Sequence, residues 1–207
     1  MPPPRAILFD LDNTAYAYAP CHAAGLAASG VSAADYETAR AAVKRLVAGT
    51  AAEHSRLLYF KTITEQSHGC SKLRTALTLH DAYWRGYFAA MTLRPGCAEL
   101  LTDLRHAGVR LAWVTNFTTE RQIHKLIALG LDEAAEYLVT SEEAGADKPD
   151  PRVVGRALAL LGVTAEDAVL VGDNEIEDGG AARAAGVPFV WFHPEMTWHN
   201  LRAMWNG

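Results

Sequence analysis

The sequence predicts an α/β protein: a parallel sheet with helices on both faces, interrupted early by a helical insertion. Three observations predict it. The short apolar run Ala6-Ile7-Leu8-Phe9 stops at the acidic turn Asp10-Leu11-Asp12-Asn13-Thr14. From Val109 onward, apolar runs alternate with single helical stretches closed by glycine, the pattern of successive strand–helix units. The two regions are separated by far more chain than a βα connection uses, so the gap holds an insertion. A chain of 207 residues can build one substantial core and a smaller inserted domain.

Arg5–Phe9 reads as a short buried strand between the opening prolines and the Asp-Asn turn. In the insertion, Ser32 is the expected N-cap of a helix from Tyr36 to Ala48, closed by Gly49. Thr50-Ala51-Ala52-Glu53 has capping-box spacing and opens a second helix that runs through Gln66 and ends near Gly69. Ser71 is the expected cap of a third, in which Leu73, Leu77, His80, Trp84, Phe88 and Met91 recur near helical spacing. His80 inside that apolar stripe reads as a core histidine. Beyond Pro95-Gly96 a helix runs to Ala107 and a strand occupies Val109–Thr115. The pattern continues with helix Thr118–Leu129, strand Tyr137–Thr140 and helix Pro151–Leu161, with proline in its first turn. Strand Ala168–Val171, helix Ile176–Ala185 and strand Pro188–Phe192 complete it. Trp198 and Trp205 in the tail are expected to cover the sheet edge or to join a dimer interface.

Composition narrows the function classes. Half the residues are hydrophobic and 21% are charged, ordinary for a soluble globular chain, and no run approaches the ~18 apolar residues of a membrane span. The start leads straight into the first strand, so no signal peptide is expected. Cys21, Cys70 and Cys97 form no Cys-x-x-Cys pair and are expected to be buried, reduced thiols, so a cytoplasmic location is expected. A net charge of -5 argues against nonspecific nucleic-acid binding. From Tyr16 to Leu93 there are eight Lys or Arg against five Asp or Glu, while the remainder is strongly acidic. A basic insert beside an acidic body suits an anionic substrate and a cation-binding body; it is equally the pattern of a solvated helix face.

The chemistry-bearing residues all follow predicted strands, where ligands collect in open α/β sheets. Asp10 and Asp12 follow the first. Thr115-Asn116 follow the second and offer a hydroxyl, an amide and backbone donors of the kind that hold phosphate oxygens. Lys148 sits in the proline-stiffened turn Asp147-Lys148-Pro149-Asp150-Pro151, and Gly172-Asp173 with Asp178 follow the strand Val169-Leu170-Val171. Carboxylates brought to about 5 Å repel by roughly 3 kcal/mol per pair at an effective dielectric near 20, so cations are required. Lys148 supplies one. Oxygen donors without a His/Cys cluster make Mg²⁺ the expected other. A carboxylate nucleophile, a second carboxyl for proton transfer, a lysine and Mg²⁺ together describe phosphoryl transfer through an aspartyl-phosphate.

In the order Phe9-Asp10-Leu11-Asp12-Asn13-Thr14, Val114-Thr115-Asn116, Lys148-Pro149-Asp150-Pro151 and Gly172-Asp173 with Asp178, the chain resembles the phosphatases of the haloacid dehalogenase-like superfamily. The resemblance implies a Rossmann-like, three-layer αβα core from residues 1–15 and 94–207, and a helical C1-type cap from 16–93. It implies Asp10 as nucleophile, Asp12 as general acid/base, Lys148 as stabiliser of the transferred group, and Thr115 and Asn116 as its binding residues. Mg²⁺ would be held by Asp10, Asp173 and the backbone carbonyl of Asp12, with Asp178 as a further ligand or as support for the others. The cap segment makes Arg56, Lys61, Tyr16 and Tyr18 candidates for substrate contact. Ala15 and Asn174 depart from the family's commoner aliphatic and serine residues, and neither removes a catalytic group.

The expected function is therefore Mg²⁺-dependent hydrolysis of a small phosphorylated metabolite (a sugar phosphate, nucleotide or phospho-acid) by a monomer or homodimer. A phosphomutase keeps the same motifs. A 2-haloacid dehalogenase of the same fold needs no proton on its leaving halide, so Asp12 weighs against it. A non-catalytic phosphate-binding regulator would be expected to have lost a motif residue, and none is missing.

Overall fold

A computed structural model describes residues 4–205. The chain falls into two compact units, one made of the residues up to Ala17 together with those from Thr92 onward, the other Tyr18–Met91. In chain order, β1 (Ala6–Phe9) is followed by the helices of the second unit, α1 (Tyr18–Ser29), α2 (Ala33–Leu46), α3 (Arg56–His68) and α4 (Leu73–Ala89). The first unit resumes with α5 (Cys97–His106), β2 (Arg110–Thr115), α6 (Thr119–Leu129), β3 (Tyr137–Thr140) and a short α7 (Ser141–Ala144). It ends with α8 (Arg152–Leu161), β4 (Ala168–Gly172), α9 (Asp178–Ala185), β5 (Phe189–Trp191) and α10 (Trp198–Trp205).

The five strands are parallel in the order β3-β2-β1-β4-β5. Strand β1 is central, and Phe9 stands opposite Trp113 on one side and Val171 on the other. The chain order reverses across β1, which makes the carboxyl ends of β1, β2 and β4 the switch point of the sheet. That register delivers Asp10, Asn116 and Asp173 to one edge. On one face, Ala6, Leu8, Ala112, Val114 and Val139 form a dry cluster with Val153, Val154, Ala157 and Leu161 of α8 and Ala181 and Ala182 of α9. On the other, the Phe9 ring packs 5.9 Å from Trp113 and 5.3 Å from Trp198. The expected α/β sheet with helices on both faces is what forms.

The tail departs from expectation. Trp198 is 1% exposed and lies on the face of the central strand, with its indole N–H on the carbonyl of Thr14 at 3.2 Å. Phe9 and Phe192 leave an aromatic socket there that only a large ring fills, so the tail completes the core and does not cover an edge.

In the helical unit, Ser32 caps α2 as expected, accepting from the Asp35 amide at 3.1 Å. Helix α1 was not expected, because Pro20 and Gly25 interrupt its pattern. Pro20 falls in the first turn, where a missing N–H is tolerated, and Gly25 lets α4 approach. A Cβ on Gly25 would meet the Tyr83 ring at 2.8 Å, and one on Gly86 would meet Ala28 Cβ at 2.5 Å. The capping box does not form: the Thr50 hydroxyl donates to Val47 O at 2.8 Å, Glu53 accepts from Gly49 N at 2.5 Å, and α3 starts only at Arg56. Ser71 does not cap α4 either; its hydroxyl donates to Glu65. The buried face of α4 is Ala76, His80, Tyr83, Trp84 and Tyr87, leaving Leu73 and Leu77 exposed, because aromatic rings, stacked and edge-on, pack around Tyr83. His80 is a core histidine, accepting from the Trp84 indole at 3.1 Å. Cys21 and Cys97 are buried, but Cys70 is exposed just past the C-terminal glycine of α3. No described helix is long and apolar enough to cross a membrane.

Replacing Trp198 by alanine empties the socket over β1. Urea unfolding should show a loss of about 3–5 kcal/mol, the usual cost of deleting a buried tryptophan; a loss below ~1 kcal/mol would show that the ring is not part of the core.

Candidate active site

Strand β1 continues one residue past its formal end, because the Asp10 amide still donates to Val171 O at 2.9 Å. This fixes Asp10 at the mouth of the sheet, 5% exposed. The Thr14 hydroxyl donates to Asp10 Oδ2 at 3.2 Å. Lys148 rises from the loop before α8 and is buried. Its ammonium donates to Asp10 Oδ1 at 2.7 Å, Asp178 Oδ1 at 2.5 Å and the carbonyl of Val114 at 2.9 Å. Asn116 anchors that loop: its Oδ1 accepts from the Lys148 amide at 2.8 Å, and its Nδ2 donates to the Lys148 carbonyl at 3.3 Å. Gly172 is required by this geometry. A Cβ there would stand 2.3 Å from Asp178 Oδ2.

Asp10, Asp173 and Asp178 each bring a carboxylate oxygen within 4.8 Å of the other two. Burial, helped by the neighbouring charges of Asp178 and Asp12, outweighs Lys148 and holds the Asp10 carboxyl well above its usual range. Burial and Asp178 likewise push Asp173 up to about 6, against the pull of Lys148 and a hydrogen bond from Asn13. Lys148 is also raised, but there the shift favours the charged form. Burial alone would depress its ammonium, yet Asp10 and Asp178 raise it. Three carboxylates against one ammonium leave excess negative charge, and hard oxygen donors at this spacing fit a divalent cation.

Asp12 lies apart from that cluster. Burial would raise its carboxyl, but Lys125, with hydrogen bonds from Lys125, Tyr16 and Gln122, holds it below the usual range. Lys125 Nζ is 2.6 and 2.8 Å from its two oxygens, and Gln122 Nε2 is 3.0 Å from Oδ2. Gln122 also donates to the Thr115 hydroxyl at 2.6 Å, and Thr115 is buried. Neither Gln122 nor Lys125 was singled out in the sequence. A signal existed: on the predicted helix they share a face with Leu126 and Leu129, two polar residues on an apolar stripe just after Thr115-Asn116.

The remaining candidates separate. Tyr16 is fully buried in the sheet unit, with its hydroxyl on Asp12. Within the helical unit, Arg56 donates to the Tyr18 hydroxyl at 3.0 Å, and its guanidinium lies 5.3 Å from the Trp84 ring. Lys61 pairs with Glu65 at 2.5 Å one turn on along α3, both half-buried.

A fold of this order, with carboxylates at its switch point, has known counterparts. The family model of the haloacid dehalogenase-like hydrolases matches residues 4–186. The chain is 42% identical to a ribulose-1,5-bisphosphate 5-phosphatase from Halopiger xanaduensis, over 91% of this chain and 84% of that one. It is 29% identical to a glyceraldehyde 3-phosphate phosphatase from Methanothermobacter thermautotrophicus, over 93% and 87%. Its fold matches the magnesium-bound HAD-hydrolase YfnB from Bacillus subtilis with a TM-score of 0.76 at 21% identity, over 99% of both chains. The chain belongs to the haloacid dehalogenase-like hydrolases, and within them it is a phosphoric monoester hydrolase.

Lys148→Met would leave Asp10, Asp173 and Asp178 facing one another without the ammonium. Denaturant unfolding at neutral pH, in chelator, should show a loss of about 3–5 kcal/mol, the cost of breaking a buried ion pair from one side. An unchanged midpoint would show that Lys148 does not neutralise the cluster.

Proposed function

We propose that the protein hydrolyses a small phosphorylated metabolite through an aspartyl-phosphate on Asp10, with Mg²⁺ as cofactor. The observation that carries this reading is the division of labour between two carboxylates two residues apart. Asp10 sits among Lys148, Asp173 and Asp178, while Asp12 faces Lys125 and Gln122. Environments that differ this much give two carboxyls different tasks.

Asp10 attacks phosphorus, the ester P–O bond breaks, and the leaving oxygen takes a proton from Asp12. Water then attacks phosphorus, its proton passes to Asp12, and the electron pair of the breaking P–O bond returns to the Asp10 carboxylate as phosphate leaves. In the resting protein Asp12 is ionised, the form that accepts the proton from water. The negative charge of a bound phosphoryl group favours the proton it needs for the first half. Lys148 neutralises charge on the transferred group, and Thr115 and Asn116 are the proposed ligands of its oxygens. The cation would be held by Asp10, Asp173 and Asp178 with the carbonyl of Asp12, and would supply charge neutralisation at the transferred group. The fit of this carboxylate set to a hard cation supports that assignment.

Among substrates, a sugar phosphate comes first, on the strength of the 42% identical relative named for ribulose-1,5-bisphosphate. In the helical unit Arg56 and Tyr18 are the proposed contacts that recognise it, their hydrogen bond holding both polar groups in one place. Lys61 is proposed as a further contact, its ammonium shared with Glu65.

A phosphate-release screen over sugar phosphates, nucleotides and phospho-acids should find its best substrate among the sugar phosphates, with turnover lost in EDTA. Asp10→Asn should lower kcat on the order of 10⁴-fold, as removal of a nucleophile does; undiminished turnover would refute the nucleophile assignment. Arg56→Lys should raise KM for the best substrate about tenfold, a loss of roughly 1.4 kcal/mol, with kcat little changed. An unchanged KM would remove Arg56 from recognition.

A further inference from the structure

The residues that hold Asp12 make up a built device of their own. Its carboxylate receives Lys125 on both oxygens, Gln122 on Oδ2 and the Tyr16 hydroxyl on Oδ1. Three features of this device oppose folding. The Lys125 side chain is 3% exposed, so its ammonium gives up its water, a cost set against the attraction of Asp12 and of the Phe117 and Tyr16 rings 5.0 and 6.0 Å away. Phe117 carries a φ of 134°, a region that residues with side chains seldom adopt. Gln122 is fully buried, and its Oε1 takes no hydrogen bond among the described residues, so the amide is kept for what its nitrogen donates to. An apolar residue at either position would suit the buried face of α6 better than a buried charge or an amide with an orphaned oxygen. Fold alone does not explain them.

We propose that Lys125 and Gln122 are positioning residues for Asp12, fixing its carboxylate for the second half of the reaction, the hydrolysis of phosphorylated Asp10. The proposal rests on the assignment of Asp10 and Asp12 made above. In that half a water O–H bond breaks, its oxygen bonds to phosphorus, the proton goes to Asp12, and the P–O bond to Asp10 releases its electron pair to the carboxylate. The base that takes the proton must reach the attacking water within hydrogen-bond distance, so the direction of that base matters. A lone aspartate side chain can rotate about two bonds. With donors on both oxygens, from two residues one turn apart on α6, it has one orientation. The first half is less demanding when the leaving group is a phenolate, which departs without a proton.

The two halves can be separated with para-nitrophenyl phosphate and Mg²⁺ in a rapid-mixing experiment. Lys125→Met should release about one nitrophenolate per enzyme in a first phase within ~3-fold of the wild-type rate. Steady turnover should then fall ~100-fold, as a misplacement of about 1 Å can cause, and acid-quenched protein should retain phosphate. Gln122→Met should show the same pattern more weakly, and Lys125→Arg should restore part of the steady rate. A fall of both phases in the same proportion, with no retained phosphate, would mean that Lys125 serves folding alone and would overturn the proposal. Unchanged steady turnover in both methionine variants would overturn it as well. Wild-type protein that never hydrolyses a phosphoester, or that does so without Asp10, would instead remove the reading on which the proposal rests. Thermal unfolding of each variant guards against a partly folded sample being mistaken for either result.

Discussion

Mutual repulsion of three carboxylates is the constraint on which the rest of the site depends. Asp10, Asp173 and Asp178 converge because β1 and β4 are neighbours in register and α9 begins just beyond β4. Nothing in the packing of apolar strands needs this convergence, and it raises the free energy of the folded chain. Lys148 offsets part of it, and the protein commits several other residues to keeping that ammonium in place. Asn116 ties its loop to the end of β2, Val114 lends a carbonyl, and Gly172 leaves room for Asp178. A site that stores uncompensated negative charge is prepared for a cation and for chemistry in which charge on the transferred group must be neutralised.

Asp12 shows the complementary solution. Its charge is compensated within the protein, by an ammonium nearly as buried as Lys148. The sheet edge therefore contains two electrostatic compartments two residues apart, one short of positive charge and one not. Reading them together assigns attack to one carboxylate and proton transfer to the other. The same division explains why Asp12 does not join the acidic cluster through its side chain.

Much of this was legible in the residues. Apolar runs ended by Asp, Asn or Gly located strands β1, β2 and β4, and the edge gathers Asp10 and Asp173 from just past β1 and β4, Lys148 from the loop before α8 and Asp178 from the start of α9. What escaped notice was held by tertiary packing. Helix α1 contains a proline and a glycine that local rules count against it; only the close approach of Tyr83 explains Gly25. Leu73 and Leu77 carried the periodicity of α4, yet the aromatic rings around Tyr83 took the interior. Gln122 and Lys125 stood on an apolar stripe of the expected helix Thr118–Leu129 and were not singled out, because contacts with Asp12 over a sequence separation of more than a hundred residues leave no local mark. Trp198 was assigned to a sheet edge or a dimer interface, since its partner Phe9 lies at the opposite end of the chain.

Direct detection of the covalent intermediate tests the central claim. Protein mixed with its best phosphorylated substrate and Mg²⁺, quenched in acid and digested, should carry the phosphoryl group on the peptide that contains Asp10, in acyl linkage that hydroxylamine cleaves. Phosphate found on any other residue, or turnover with no phosphorylated peptide under conditions that slow the second half, would contradict it.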